Sequence, residues 1–163
     1  MQSISQRIIS TVILSLALTY GNVMAAGTGS SSSNRSTVSP EFKAGKKAVK
    51  SGDYQSAVRY LNKALAQDPN SADTQNLLGF SYRKLGETEK AFKHYEIALK
   101  IDPKHRGANE YLGELYLETD QLAQAEERLK VLDKACPWGC EEYNELKEAI
   151  KKYKSEKQAV GPY

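Results

Sequence analysis

Cysteine, histidine and tryptophan are scarce: the 163 residues contain two Cys, two His and one Trp. A zinc site with four Cys/His ligands would need His94, His105, Cys136 and Cys140 together, and these spacings fit no finger pattern. Charge of one sign is not in excess either. The formal net charge is +3, from 23 basic and 20 acidic residues, so a basic patch for nucleic acid is not expected. Long hydrophobic runs are also missing. The stretch Ile8–Tyr20, interrupted by Ser10, Thr11, Ser15 and Thr19, spans 13 residues. A helix needs about 20 to cross a bilayer core, so no stable membrane span is expected. A hydrophobic fraction of 40% and a mean hydropathy of −0.59 are low for one compact core and point to an elongated or repetitive shape, or to polar tails.

Arg7, the short apolar core and the small residues of Val23-Met24-Ala25 together have the form of a secretory signal peptide over 1–25, cut after Ala25. Removing Arg7 with that segment lowers the net charge to +2. No cysteine follows the core, so a bacterial lipid anchor is not expected. Residues 26–37, rich in Gly and Ser, cannot bury apolar surface and read as a flexible linker. Export to an oxidising compartment, most simply the periplasm, is the expectation for the mature chain.

The rest of the chain repeats every 34 residues. Gly45, Gly79 and Gly113 form one column, and Ala57, Ala91 and Ala125 another. Pro69, Pro103 and Pro137 form a third, and Gly52, Gly86 and Asp120 a fourth. Ala44, Leu78 and Leu112 make a fifth, and Leu61, Tyr95 and Leu129 a sixth. Each unit divides into two helices. In the middle unit the spacing predicts a helix over Ala72–Leu85 and a second over Thr88–Ile101. Gly86 suits the left-handed end of the first, and Asp102-Pro103 stops the second. Ser39, Pro40 and Glu41 form a helix start, and Asp53 another. The small Gly and Ala columns predict close approach of the two helices within a unit.

These columns resemble the tetratricopeptide repeat (TPR), best in the middle unit, with Leu78-Gly79, Tyr82, Gly86, Ala91, Tyr95, Ala98, Leu99 and Pro103. The resemblance covers three units, 38–71, 72–105 and 106–139. The first lacks an aromatic at Ala48, and the third has Asp120 for Gly, with Leu132 and Asp133 also departing from the pattern. It implies an all-α, right-handed solenoid of three helix pairs. Residues 140–154 follow as an amphipathic capping helix, with Tyr143, Leu146, Ile150 and Tyr153 on one face. Residues 155–163 are expected to fray.

The resemblance further implies a concave groove lined by the first helix of each unit and used by extended peptides. Its positions here are Phe42, Lys46 and Lys50, then Asn76, Phe80 and Lys84, then Glu110, Glu114 and Glu118, with Lys43, Leu77, Arg83 and Tyr111 beside them. The groove would run from basic to acidic with aromatic rings between, suiting a dipolar peptide. Charge runs of this kind are also found on helix faces that are merely solvated. Some family members clamp a C-terminal carboxylate; the matching places here are Phe42, Lys46, Leu77, Gly107 and Tyr111, and only Lys46 retains a suitable charge. That clamp is therefore not expected. Nothing in the sequence buries the three glutamates, so they are expected to titrate ordinarily, with no catalytic role. His94 and His105 read as ordinary surface residues.

Cys136-Pro137-Trp138-Gly139-Cys140 is a tight turn before the cap. In an exported chain a structural disulfide is the first reading, with Trp138 lying over the end of the core. The alternatives are thiol-redox chemistry or copper handling by the same two sulfurs. The turn also resembles a Cys-Pro-x-Gly-Cys ending of small exported TPR proteins of Gram-negative bacteria. The sequence thus predicts a non-catalytic interaction module of the bacterial envelope, with a protein or peptide partner and no cofactor or metal.

Overall fold

A computed structural model describes residues 38–160. The signal-peptide and linker expectations lie outside them. Seven helices occupy the described residues: α1 Pro40–Lys50, α2 Tyr54–Gln67, α3 Ala72–Lys84, α4 Thr88–Ile101, α5 Arg106–Glu118, α6 Leu122–Ala135 and α7 Glu141–Val160.

Local chemistry sets the helix ends. Ser39, Asp53 and Ser71 each accept a backbone N–H of the first turn through a side-chain oxygen. His105 does the same through Nδ1, which accepts from Ala108 N–H at 3.1 Å. The turns inside the pairs need left-handed backbone. Gly52 and Gly86 both have φ 77°, and Asp120, in the same column of the repeat, takes φ 57° without being glycine.

Packing follows from the missing side chains. A Cβ on Gly45 would lie 2.7 Å from the Leu61 side chain, and one on Gly79 would lie 2.6 Å from the Tyr95 ring. These glycines bring α1 onto α2 and α3 onto α4. The third unit departs from that rule, because the space beside Gly113 is filled by Leu146 of α7 rather than by α6. Ala57, Leu61, Leu78, Ala91, Tyr95, Ala125, Leu132 and Leu146 are wholly buried.

The helices form two layers. Successive members of α1, α3, α5 and α7 touch one another, whereas α2, α4 and α6 touch only members of the first layer. The array is therefore tighter on the α1/α3/α5/α7 side and curves toward it.

At the C-terminal end, Leu146 and Ile150 complete the cluster of Leu117, Ala125 and Leu132. The cap runs Glu141–Val160, so the expected end at 154 is corrected. Beyond it Lys157 still pairs with Asp120 at 2.5 Å and lies over the Tyr153 ring, which extends the helix past the predicted boundary. Cys136 and Cys140 are disulfide-bonded, with Cα atoms 5.8 Å apart. The expectation for Trp138 is also corrected. It is 97% exposed, because α7 already closes the apolar end that the indole would have covered.

Candidate partner-binding face

The α1/α3/α5/α7 layer carries all the residues that the sequence assigned to a groove, but they divide into three settings. In the middle, aromatic rings gather. Phe80 and Tyr111 have ring centroids 4.9 Å apart, and Tyr54 meets Phe80 edge-on at 6.0 Å. Lys84 Nζ stands 5.2 Å from the Phe80 centroid. Phe42 does not join this stack; it packs against the cluster of Ala48, Ala57, Leu61 and Leu78.

On α1, Lys46 and Lys50 are exposed, and neither they nor Lys84 has a carboxylate partner among the described residues. This end of the face keeps its positive charge.

The acidic end differs from expectation. Arg83 of α3 reaches across to α5, where its guanidinium donates to Glu114 at 2.5 Å and to Glu118 at 2.6 Å. Burial opposes the charge on Arg83, but the hydrogen bonds it donates to Glu118 and Glu114 outweigh it and hold the group protonated, above its ordinary range. One buried cation thus offsets much of the charge of two of the three glutamates. Arg83 is one step off the i, i+4 stripe, which is why the stripe alone does not reveal it.

The third glutamate is not on an open face at all. Glu110 is 3% exposed, and Asn76 on α3 is 7% exposed. Burial pushes the Glu110 carboxyl up to about 9, helped by a hydrogen bond with Glu145 and by the charges of Glu145, Glu114 and Glu142. The expectation of ordinary titration is therefore overturned. The cause is α7, whose Glu142 and Glu145 lie against α5. Counting one more repeat length would have located them, since Glu145 stands 34 residues after Tyr111 and Leu146 continues the column of Leu78 and Leu112.

Both histidines are structural rather than merely solvated. His94 stacks on Tyr82 with centroids 5.2 Å apart, and its Nδ1 lies 2.7 Å from Gln75 Oε1. Burial, with Lys93 and Lys90 close by, pushes its pKa down. His105 uses Nδ1 as the α5 cap, which leaves Nε2–H to donate to Asp73 at 3.0 Å. No group of three or more His, Cys, Asp or Glu side chains able to hold a metal ion occurs among the described residues, and no described helix is long and apolar enough to cross a membrane.

Comparison with known proteins agrees with this architecture. Two family models, each described as tetratricopeptide repeat, match residues 42–106 and 82–150. Among curated proteins, the chain is 35% identical over 83 residues to Protein CTR9 homolog of Arabidopsis thaliana; the match covers 51% of this chain and 8% of that protein. The chain therefore spans less than a tenth of that relative. Among solved structures, the Sgt2 TPR domain from Aspergillus fumigatus superposes with a TM-score of 0.65 at 22% identity, over 76% of this chain and 83% of that one. The TPR2B domain of yeast Sti1, solved as a complex with pHsp70, gives 0.65 at 17% identity, over 71% and 94%. At these identities the structural likeness concerns the fold.

Proposed function

The chain belongs to the tetratricopeptide repeat family, and on that premise we propose that it is a non-catalytic protein-interaction module that seats a partner's extended segment on the α1/α3/α5/α7 face. One observation carries this reading. The tilted rings of Phe80 and Tyr111 are half-buried on the inner layer with Lys84 over Phe80, and Lys46 and Lys50 of α1, like Lys84, are exposed without a carboxylate partner among the described residues. Aromatic rings offer area at low entropic cost, and free lysines supply charge complementarity to acidic residues of a partner. The yeast Sti1 domain, which shares the fold, is in complex with pHsp70, so the fold is able to serve such a role.

The partner expected here is not a copy of that one. Gly107 and Tyr111 stand where clamp-type relatives carry basic residues, so a C-terminal carboxylate would find only Lys46 of that set.

The setting we propose is the bacterial envelope, after export and cleavage following Ala25. The residues that support it are Arg7, Ile8–Tyr20 and Val23-Met24-Ala25, together with the Cys136–Cys140 bond, which persists in oxidising compartments. Mass spectrometry of protein from the envelope fraction should find Ala26 at the amino terminus; Met1 retained in a cytoplasmic pool would contradict this.

Charge reversal tests the binding face. Lys46→Glu, Lys50→Glu and Lys84→Glu together should weaken binding of a partner crosslinked in the envelope by about tenfold or more. Helical content should not change, since these side chains are exposed. Unchanged binding would show that the face is not the docking surface.

A further inference from the structure

Between α3, α5 and the start of α7 lies a cavity of about 300 Å³, whose walls include Asn76, Leu77, Glu110, Tyr111, Glu142 and Glu145. Its chemistry is unbalanced. Glu110, almost wholly buried, has no cationic partner among the described residues. Glu141, Glu142 and Glu145 add three more carboxyls around the same space. The cation at the rim is Arg106, which lies 3.5 Å from Glu142 and is itself more than half exposed.

A second observation is independent of the acidic groups. The side-chain oxygen Oδ1 of Asn76 is buried and has no hydrogen-bond partner. An acceptor left empty in the interior costs roughly 1–3 kcal/mol, so a missing donor is implied. Gly107 keeps the space beside that amide clear: a Cβ there would lie 3.0 Å from Asn76 Nδ2. Leu77 and the Tyr111 ring give the cavity an apolar wall as well as a polar end.

We propose that this cavity receives the cationic end of a lysine or arginine side chain from the bound partner. Glu110 is the counter-ion, Asn76 Oδ1 accepts an N–H, and Leu77 and Tyr111 pack against the aliphatic stem. Glu142 and Glu145 raise the local concentration of cations at the mouth. A bare metal ion is a poorer occupant, because the carboxyls do not converge as a coordination set. The inference rests on the reading of the α1/α3/α5/α7 face as the partner surface and names one end of the partner. With the lysines of α1 at the opposite end, the partner's segment is dipolar.

Protonation follows from occupancy. Empty, Glu110 retains its proton below about 9. An entering cation takes the place of that proton, so one H⁺ leaves as one positive charge arrives. The other groups facing the site are Glu141, Glu142 and Glu145 of α7 and Glu114, Tyr111 and Arg106 of α5, with neutral Asn76 and Leu77 from α3. Tyr111 is pushed up to about 12, by burial first, and stays protonated. Binding should therefore tighten as pH rises toward that of Glu110, by up to about tenfold per unit.

The test uses the whole mature chain, isotope-labelled, titrated by NMR with the peptide Ac-Gly-Lys-Gly-NH2, its arginine counterpart and its norleucine counterpart. The cationic peptides should shift the Asn76 side-chain amide resonances and lower the titration midpoint of the Glu110 carboxyl. The norleucine peptide should do neither, and Glu110→Gln should weaken cationic binding by about tenfold or more. Gly107→Val, a second variant that alters no charge, should block the site by crowding Asn76. Equal binding of norleucine, or an affinity unchanged by Glu110→Gln in a folded chain, would overturn the proposal. So would cationic peptides that leave Asn76 unmoved in millimolar excess. A partner that still needs Lys46, Lys50 and Lys84 after such a failure would leave the docking face intact and remove this pocket from it.

Discussion

The ring of Tyr95 occupies the volume that a side chain at Gly79 would need: a Cβ at position 79 would lie 2.6 Å from two of its ring carbons. Tyr95 has no exposed surface and contacts Tyr111 in turn, with centroids 6.4 Å apart. The close seating of α3 on α4 therefore also sets where the aromatic part of the binding face stands.

Gly79→Ala should destabilise the fold by about 1–3 kcal/mol, despite the better helix propensity of alanine, because the fully packed ring has nowhere to move. Gly86→Ala has open space around it but holds φ 77°, so its cost of about 1 kcal/mol is torsional. Thermal unfolding followed by circular dichroism compares the two. A neutral Gly79→Ala would contradict the close approach.

This part of the structure was legible in the sequence because it is local and repeated. Gly79 recurs as Gly45 and Gly113, and Gly86 stands where the chain must turn, so spacing alone revealed helix pairs and their contact faces. The burial of Glu110 was not legible in the same way. It depends on α7 folding back onto α5, which the amphipathic pattern within α7 does not report; only the repeat length carried past Gly139 sets Glu145 and Leu146 in the columns of Tyr111 and Leu112. Arg83 was placed beside the groove, but its pairing with Glu114 and Glu118 escaped for a related reason: its long side chain crosses to α5, and no period within α3 reports a reach between helices. Trp138 was misjudged because its hydrophobicity argued for cover, whereas Leu146 and Ile150 had already filled the place.

The raised pKa of Glu110 makes stability depend on pH with a definite sign. The folded state holds this proton more tightly than the unfolded chain, whose carboxyl titrates near 4.5. The stabilisation is complete below about 4.5 and is lost as pH rises toward about 9. Glu110→Gln removes that loss. The variant should be more stable than the parent by roughly 1–3 kcal/mol near neutral pH, with the gain shrinking toward pH 5. Denaturant unfolding at several pH values measures it, and a pH-independent difference would contradict the assignment.

The Cys136–Cys140 bond closes a very short loop, so its removal should cost about 2 kcal/mol at most. Because each unit is coupled chiefly to its neighbours, the effect of Cys136→Ser with Cys140→Ser should stay near α6 and α7. Hydrogen exchange should quicken there and hardly change in α1–α4. Partner binding should persist. If the two sulfurs instead served redox or copper chemistry, they would be found as free thiols in the envelope or would bind Cu(I) stoichiometrically. The double variant would then lose function while folded. Thiol trapping and a Cu(I) titration separate these outcomes.

The most direct measurement is to select binders from a random peptide library on the chain from Ala26 onward and map the selected peptides by amide chemical shifts. The account predicts that perturbed residues cluster on α1, α3 and α5, around Lys46, Lys50, Phe80, Lys84 and Tyr111, and that the selected peptides carry acidic and basic residues at opposite ends. Perturbations confined to the outward helices α2, α4 and α6 would contradict it.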